Sequence, residues 1–255
     1  MSLLHAELAK LLRLPSARGA AVAGLVLSPL LTFINSSAVQ RMVHDGDPVA
    51  TANLADAGFM DLAYPVIAAI ILGVVAVSSE YQAGGEDAGG GRQIYTSLVA
   101  VPSRVRLLLA KFGALALTVA TLATCTATLT VVISHAALGE LATPLTGETL
   151  RRILGVVLYW VFAALLACGA TLLTRSGVVP LTVLILNNSV VSVTYLIAKV
   201  VPAANYFPDL VGARMFLHNV ASAWRIGPVT GGLAMAGWAL AALAVGGLAF
   251  HRRDA

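Results

Sequence analysis

The sequence predicts an all-α, polytopic membrane protein, and three observations carry that prediction. Of the 255 residues, 58% are hydrophobic and only 11% are charged, against about 25% charged in an ordinary soluble domain. The apolar residues collect in six runs, each close to the roughly 20 residues that a spanning helix needs. The Lys and Arg residues fall unevenly on the segments between those runs, as orienting charge does. Mean hydropathy is +0.88. Aromatics make up only 6%, so Ala, Leu and Val supply the apolar bulk, as suits closely packed helices.

Residues 1–18 come before the first run. At 3.6 residues per turn Leu4, Leu8, Leu11 and Leu12 share a face, with Glu7, Lys10 and Arg13 placed away from it. That pattern predicts a helix lying along the membrane surface, broken at Pro15-Ser16. The basic residues, the apolar run and Asn35-Ser36-Ser37-Ala38 imitate a cleavable leader. A leader does not open on an amphipathic helix of its own, so the segment is expected to stay attached. Residues 19–255 form the spanning domain, with runs at Gly19–Val39, Leu62–Ser79, Leu107–Ala137, Ile153–Thr174, Gly177–Val200 and Ile226–Phe250. They leave no soluble portion large enough to do chemistry.

The connections carry the remaining signals. Gln40–Asp61 is polar and acidic, with room for a short helix. Between the second and third runs, loop 80–106 is the longest polar insertion on the basic side. Its glycine-rich stretch Ala83–Gly91 is expected to be flexible, because Gly loses the most entropy on ordering. Arg92–Val101 then has room for one or two helical turns before Pro102. Thr146 or Thr149 is placed to cap the fourth run, with Glu148 in its first turn. Only Arg175-Ser176-Gly177 joins the fourth and fifth runs, a tight turn. Segment 201–225, with Pro202, Pro208, Tyr206, Phe207 and Trp224, predicts two short amphipathic helices at the outer surface.

Six runs place both termini on one side. That side holds ten of the 16 basic residues and five of the 12 acidic ones, a net charge of +5, and leaves −1 on the other. Both termini and loop 80–106 are therefore expected in the cytoplasm, and the chain in the inner (plasma) membrane as a multi-pass protein. Arg151-Arg152 runs against this pattern. The pI near 9.3 is orienting charge rather than a nucleic-acid patch, so membrane lipid, not nucleic acid, is the expected environment.

Several function classes drop out. There is no G-x-x-x-x-G-K-[ST], so the chain is not itself a P-loop ATPase, and no enzymatic activity is expected of it. Five scattered His residues lack metal-ligand spacing, so no metal site is expected. Cys125 and Cys168 fall inside runs as small packing residues. No Asp or Glu lies deep in a run, which argues against transport coupled to buried carboxylates.

Three constellations remain. Loop 80–106 offers Glu80, Arg92, Tyr95, Thr96, Leu98, Pro102 and Arg104. A short helix presenting Leu98 or Tyr95 suits docking into a partner's groove, while an ordinary topology-setting loop explains the same composition. The fifth run carries Asn187, Asn188 and Ser192. Amides in hydrocarbon either line a path, with Asn188 favoured as the axial one, or hold helices together. The threonines at 118, 121, 124, 126, 128 and 130 read as packing, since a Thr hydroxyl can bond its own helix.

Glu80, Gly91, Arg92, Thr96, Ser97, Leu98, Pro102, Arg104, Ala110 and Lys111 together resemble the pattern of permease subunits of type-2 ATP-binding-cassette exporters. The six-run layout and leading surface helix are similar too, whereas the insertion Gly84–Gly91 departs from the pattern. The resemblance implies that loop 80–106 docks on a separate soluble ATPase, which would hold ATP and Mg, while this chain holds no cofactor. It also implies a second permease chain, a two-plus-two assembly whose axis the fifth run would line. The expected function is the permease subunit of an ATP-driven exporter of amphipathic cargo (drug, lipid or modified peptide). The alternative is a non-transporting scaffold or sensor that anchors a soluble partner.

Overall fold

The computed structural model describes residues 2–81, 103–188, 193–218 and 226–252, and every regular element among them is helical. Helix α1 (Leu3–Arg13) is capped by the Ser2 hydroxyl, which accepts from the His5 N–H. Pro15 opens α2 (Pro15–His44) at its first position, where a missing N–H costs nothing. The Asp47 carboxylate accepts from the Val49 and Ala50 N–H groups and so starts α3 (Pro48–Asn53). Two tight turns, Leu54–Asp56 and Met60–Leu62, lead into α4 (Val66–Tyr81). Helix α5 (Arg104–Leu138) is capped by Ser103. The capping threonine foreseen for α6 (Gly147–Thr174) is Thr146, in a reciprocal box with Thr149. Arg175, in the left-handed region at φ 53, closes that helix and makes the tight turn into α7 (Val178–Asn187). Then come α8 (Val193–Ala198), a turn at Pro202–Tyr206, α9 (Pro208–Ala213) and α10 (Pro228–Arg252).

Among the described residues, five segments are long and apolar enough to cross a membrane: Pro15–His44, Met60–Tyr81, Arg104–Leu141, Gly147–Thr174 and Pro228–Arg252. They contain four of the six runs expected and all but the first two residues of a fifth, Ile226–Phe250, and the chain is an all-α membrane protein. Of the run Gly177–Val200, Val178–Asn187 and Val193–Ala198 are helical, and residues 189–192 lie outside the described residues. Helix α7 ends at Asn187, with Asn188 as its C-cap. The side-chain amides explain the stop. Asn188 Nδ2 donates to the Leu184 carbonyl at 2.9 Å, and Asn187 Oδ1 accepts from the Thr194 N–H at 3.3 Å and its hydroxyl at 2.6 Å. Amides that supply local partners of this kind compete with the helix's own ladder.

Helix α6 is the centre of the bundle, with α4, α5 and α10 packed around it. The packing is backbone to backbone. A Cβ on Gly73 would stand 2.2 Å from the Ala164 carbonyl oxygen, and one on Gly246 2.3 Å from that of Gly169. Small residues let helices approach this closely, and an Ala-rich composition serves that end. Trp160, fully buried on α6, donates its indole N–H to the Leu62 carbonyl at 3.2 Å. Helix α2 joins α5 through hydroxyl pairs, Ser28 with Thr130 at 3.1 Å and Ser36 with Ser134 at 3.0 Å. Along α5, Thr118, Thr121 and Thr124 bond the carbonyls four residues back, at 2.8, 2.9 and 2.7 Å.

Contacts divide the bundle into two ends. One gathers α1, the end of α4, the start of α5, the Arg175 turn and the end of α10. The other gathers Asp56, the start of α6 and residues 216–218. Gly155 touches Met215, and Gly231 at the start of α10 touches Val211. Arg175 therefore lies at the first end and residues 215–218 at the second.

Two details differ from the sequence reading. Glu7 is buried on α1, whereas Leu4 and Leu12 are exposed. Glu7 and Leu11 are only about 40° apart around the helix, so the flank that packs on α5 includes the glutamate. The acidic segment before α4 is also partly internal: Asp56 and Asp61 are both buried. Asp61 accepts from Thr32 at 2.9 Å and Asn35 at 2.6 Å, with α2 closing over it.

Candidate functional site

Where loop 80–106 leaves and re-enters the bundle, four charges meet. The last turn of α4 supplies Glu80, and the second turn of α5 supplies Lys111. Helix α1 supplies Glu7 and Lys10 from one face, three residues apart. Lys111 Nζ lies 2.6 Å from Glu7 Oε2 and 2.9 Å from Glu80 Oε1, and Lys10 also pairs with Glu80. The side chains of Glu80, Lys111 and Glu7 are 3%, 5% and 8% exposed, and that of Lys10 20%. Two positive and two negative charges balance. The set is thus a compensated buried cluster, in which losing Lys111 leaves the buried Glu7 without its cation.

Its mechanical meaning follows from its parts. The two helices that bracket the loop are tied to each other and to α1 by directional, charge-assisted bonds. Nearby side chains extend the linkage. Arg104 Nη1 donates to the carbonyls of Phe250 at 3.0 Å and His251 at 3.3 Å, and its guanidinium stands 5.7 Å from the Phe250 ring. A cation suits the negative end of α10. Arg175 stands 5.8 Å over the ring of Tyr81, the residue after Glu80. The loop's two roots thereby hold α4, α5, α10, α1 and the turn between α6 and α7.

Of the residues singled out in the loop, Glu80 and Arg104 are brought to this end, about the same set of helix termini. Arg92, Tyr95, Thr96, Leu98 and Pro102 lie outside the described residues, as do the glycine-rich stretch and Ser192. Asn187 and Asn188 sit away from the cluster at the end of α7. Asn187 Oδ1 is taken by Thr194, while Asn188 Oδ1 accepts the buried Tyr159 hydroxyl at 2.9 Å. Both amides are engaged inside this chain.

Sequence reasoning missed Glu7 and Lys10 as partners. The available signal was scarcity: with 11% of residues charged, a charge bordering an apolar run needs a partner. It also missed a second charge cluster at the opposite end. Arg152 Nε donates to the Phe216 carbonyl and Nη1 to that of Ala55, each at 2.6 Å. Its Nη2 pairs with the fully buried Asp56, and the guanidinium lies 3.8 Å over the Phe59 ring. Beside it Arg151 pairs with Glu148 at 2.7 Å. The two arginines that ran against the charge asymmetry are each matched by an acid. Among the described residues no group of His, Cys, Asp and Glu is arranged to hold a metal ion. Compared with known protein families and with curated proteins, the chain matches none.

Proposed function

We propose that this chain is the membrane-spanning permease subunit of an ATP-driven exporter of amphipathic cargo. It would act as one of two permease chains, each served by a separate soluble ATPase that binds ATP and Mg. The observation that carries the reading is the buried Glu7–Lys111–Glu80–Lys10 cluster. A loop that only connected two spans would have no need to be rooted in five elements of the bundle. A loop that is pushed by a partner would. On this reading loop 80–106 and both termini face the cytoplasm, in keeping with the excess of Lys and Arg on that side. ATP-driven closure of the ATPases displaces the loop, and α1, α4 and α5 move with it. On this reading the end of α7, with Asn187 and Asn188, lies beside the path.

The test is reconstitution. The chain, purified with the P-loop ATPase that accompanies it, is placed in vesicles, and release of a fluorescent amphiphile is followed with and without ATP. Leu98→Asp is expected to shed the ATPase or to leave hydrolysis without export, because burying that charge in a docking contact costs several kcal/mol. A chain that binds its soluble partner stably, yet moves no amphiphile in response to ATP, would instead be the scaffold or sensor.

A further inference from the structure

At the end of the bundle opposite the loop, His218 bridges two carboxylates. Its Nδ1 lies 3.4 Å from Asp56 Oδ1, and its Nε2 lies 3.4 Å from Glu148 Oε1. The backbone N–H of His218 also donates to both Asp56 oxygens, at 3.1 Å each, so the residue is anchored before its ring is placed. A neutral imidazole has one N–H and one lone pair. A lone pair facing a carboxylate oxygen at this distance is repulsive, whereas an imidazolium, with two N–H groups, satisfies both acids. The side chain is 47% exposed, so protons exchange with it freely. The groups facing it are Asp56 from the Leu54–Asp56 turn and Glu148 with its partner Arg151 from α6. Arg152 of α6 already compensates Asp56, and His135 of α5 lines the same cavity of about 200 Å³ beside them.

We infer that His218 is a proton-operated clasp: protonated, its ring ties the segment after α9 to Glu148 at the start of α6 and adds to the hold on Asp56, and on losing its proton it gives up these ring contacts while the backbone and Arg152 links remain. The three joined pieces come from different parts of the chain, and His218 and Glu148 both line the cavity. Releasing the clasp therefore loosens that cavity's wall. The sign follows directly. The charged form of the histidine is the one with partners in the closed state, so closure is favoured by the imidazolium and weakens as the ring loses its proton with rising pH. Arg152, held by two carbonyls and Asp56, keeps its contacts throughout, so what changes is the clasp and not the fold.

Amide hydrogen exchange of the full chain in lipid nanodiscs, corrected for intrinsic rates, tests this between pH 5 and 8. Protection at residues 55–57 and 216–218 is expected to fall several-fold as pH rises, with α10 unchanged as an internal reference. His218→Gln is expected to remove the pH dependence, leaving protection low throughout. His135→Gln, which alters the other cavity histidine, is expected to keep it. Flat protection in the wild type, the same pH response in His218→Gln, or a response lost in His135→Gln would each overturn the inference.

Discussion

At residue scale, the energetics of this chain are set by which buried charges have partners. Lys111 compensates both Glu7 and Glu80 (2.6 and 2.9 Å). Lys111→Met should therefore lower stability by about 3–5 kcal/mol, the usual penalty for breaking a buried pair from one side. Adding Glu7→Gln and Glu80→Gln to Lys111→Met should recover most of that loss, since Lys10, 20% exposed, can then turn to water. Thermal unfolding of the two variants in one detergent decides the matter; if the triple variant is no better than the single, the cluster is not held by charge compensation. Arg214 makes the opposite case. It is buried, and among the described residues its Nε and Nη2 have no hydrogen-bond partner. Burial alone pushes its pKa down from the usual arginine range. Removing an unsatisfied buried group is often neutral or stabilising, so Arg214→Leu should leave the unfolding temperature unchanged or raise it. A drop of several degrees would mean that the guanidinium does have a partner.

At the scale of elements, helix contacts depend on the absence of side chains. Helices α6 and α10 meet where a Cβ on Gly169 would lie 2.5 Å from the backbone of Ala242. Gly169→Val should therefore force α10 away and cost several kcal/mol, while Gly237→Ala, on a stretch of α10 with nothing within 4 Å, should stabilise by about 0.5–1 kcal/mol. Yield and thermal midpoint of the two variants give the comparison, and equal behaviour would refute the packing. The same contrast explains what could be read beforehand. Length and hydropathy act along one helix, so the five long spans, a threonine cap at Thr146 or Thr149 and the Arg175 turn are visible in sequence alone. Which flank of α1 faces α5 depends on where Lys111 waits, and no periodicity within α1 reports that. The end of α7 at Asn187 is not legible for a related reason. An apolar run of adequate length does not mark where its helix ends until the amides are seen bonding Leu184, Thr194 and Tyr159. Asn188→Leu should accordingly leave the buried Tyr159 hydroxyl without its acceptor and lower stability by about 1–3 kcal/mol, measured against Tyr159→Phe as the paired change. Additive losses from the two would show that the hydrogen bond contributes nothing.

For the whole molecule, the two ends differ in kind, and orientation decides what each can do. One end concentrates the roots of loop 80–106, the termini and a fully compensated charge cluster; the other carries the Arg152 and His218 contacts. If Lys and Arg asymmetry orients the chain, the first end faces the cytoplasm. Single cysteines in a background lacking Cys125 and Cys168 test this with little disturbance to the fold. Gly89 lies in the loop, and Asp45 is exposed just after α2. Asp45 is a better reporter than Asp47, whose carboxylate caps α3. In intact cells a membrane-impermeant maleimide should label Asp45→Cys and spare Gly89→Cys, and permeabilisation should make Gly89→Cys reactive. The reverse pattern would put loop 80–106 outside, beyond the reach of any cytoplasmic ATPase. The coupling argument would then fail, whereas the geometry of the charge cluster would stand. It would also place the His218 clasp in the cytoplasm, where a narrow pH range would leave it little to respond to.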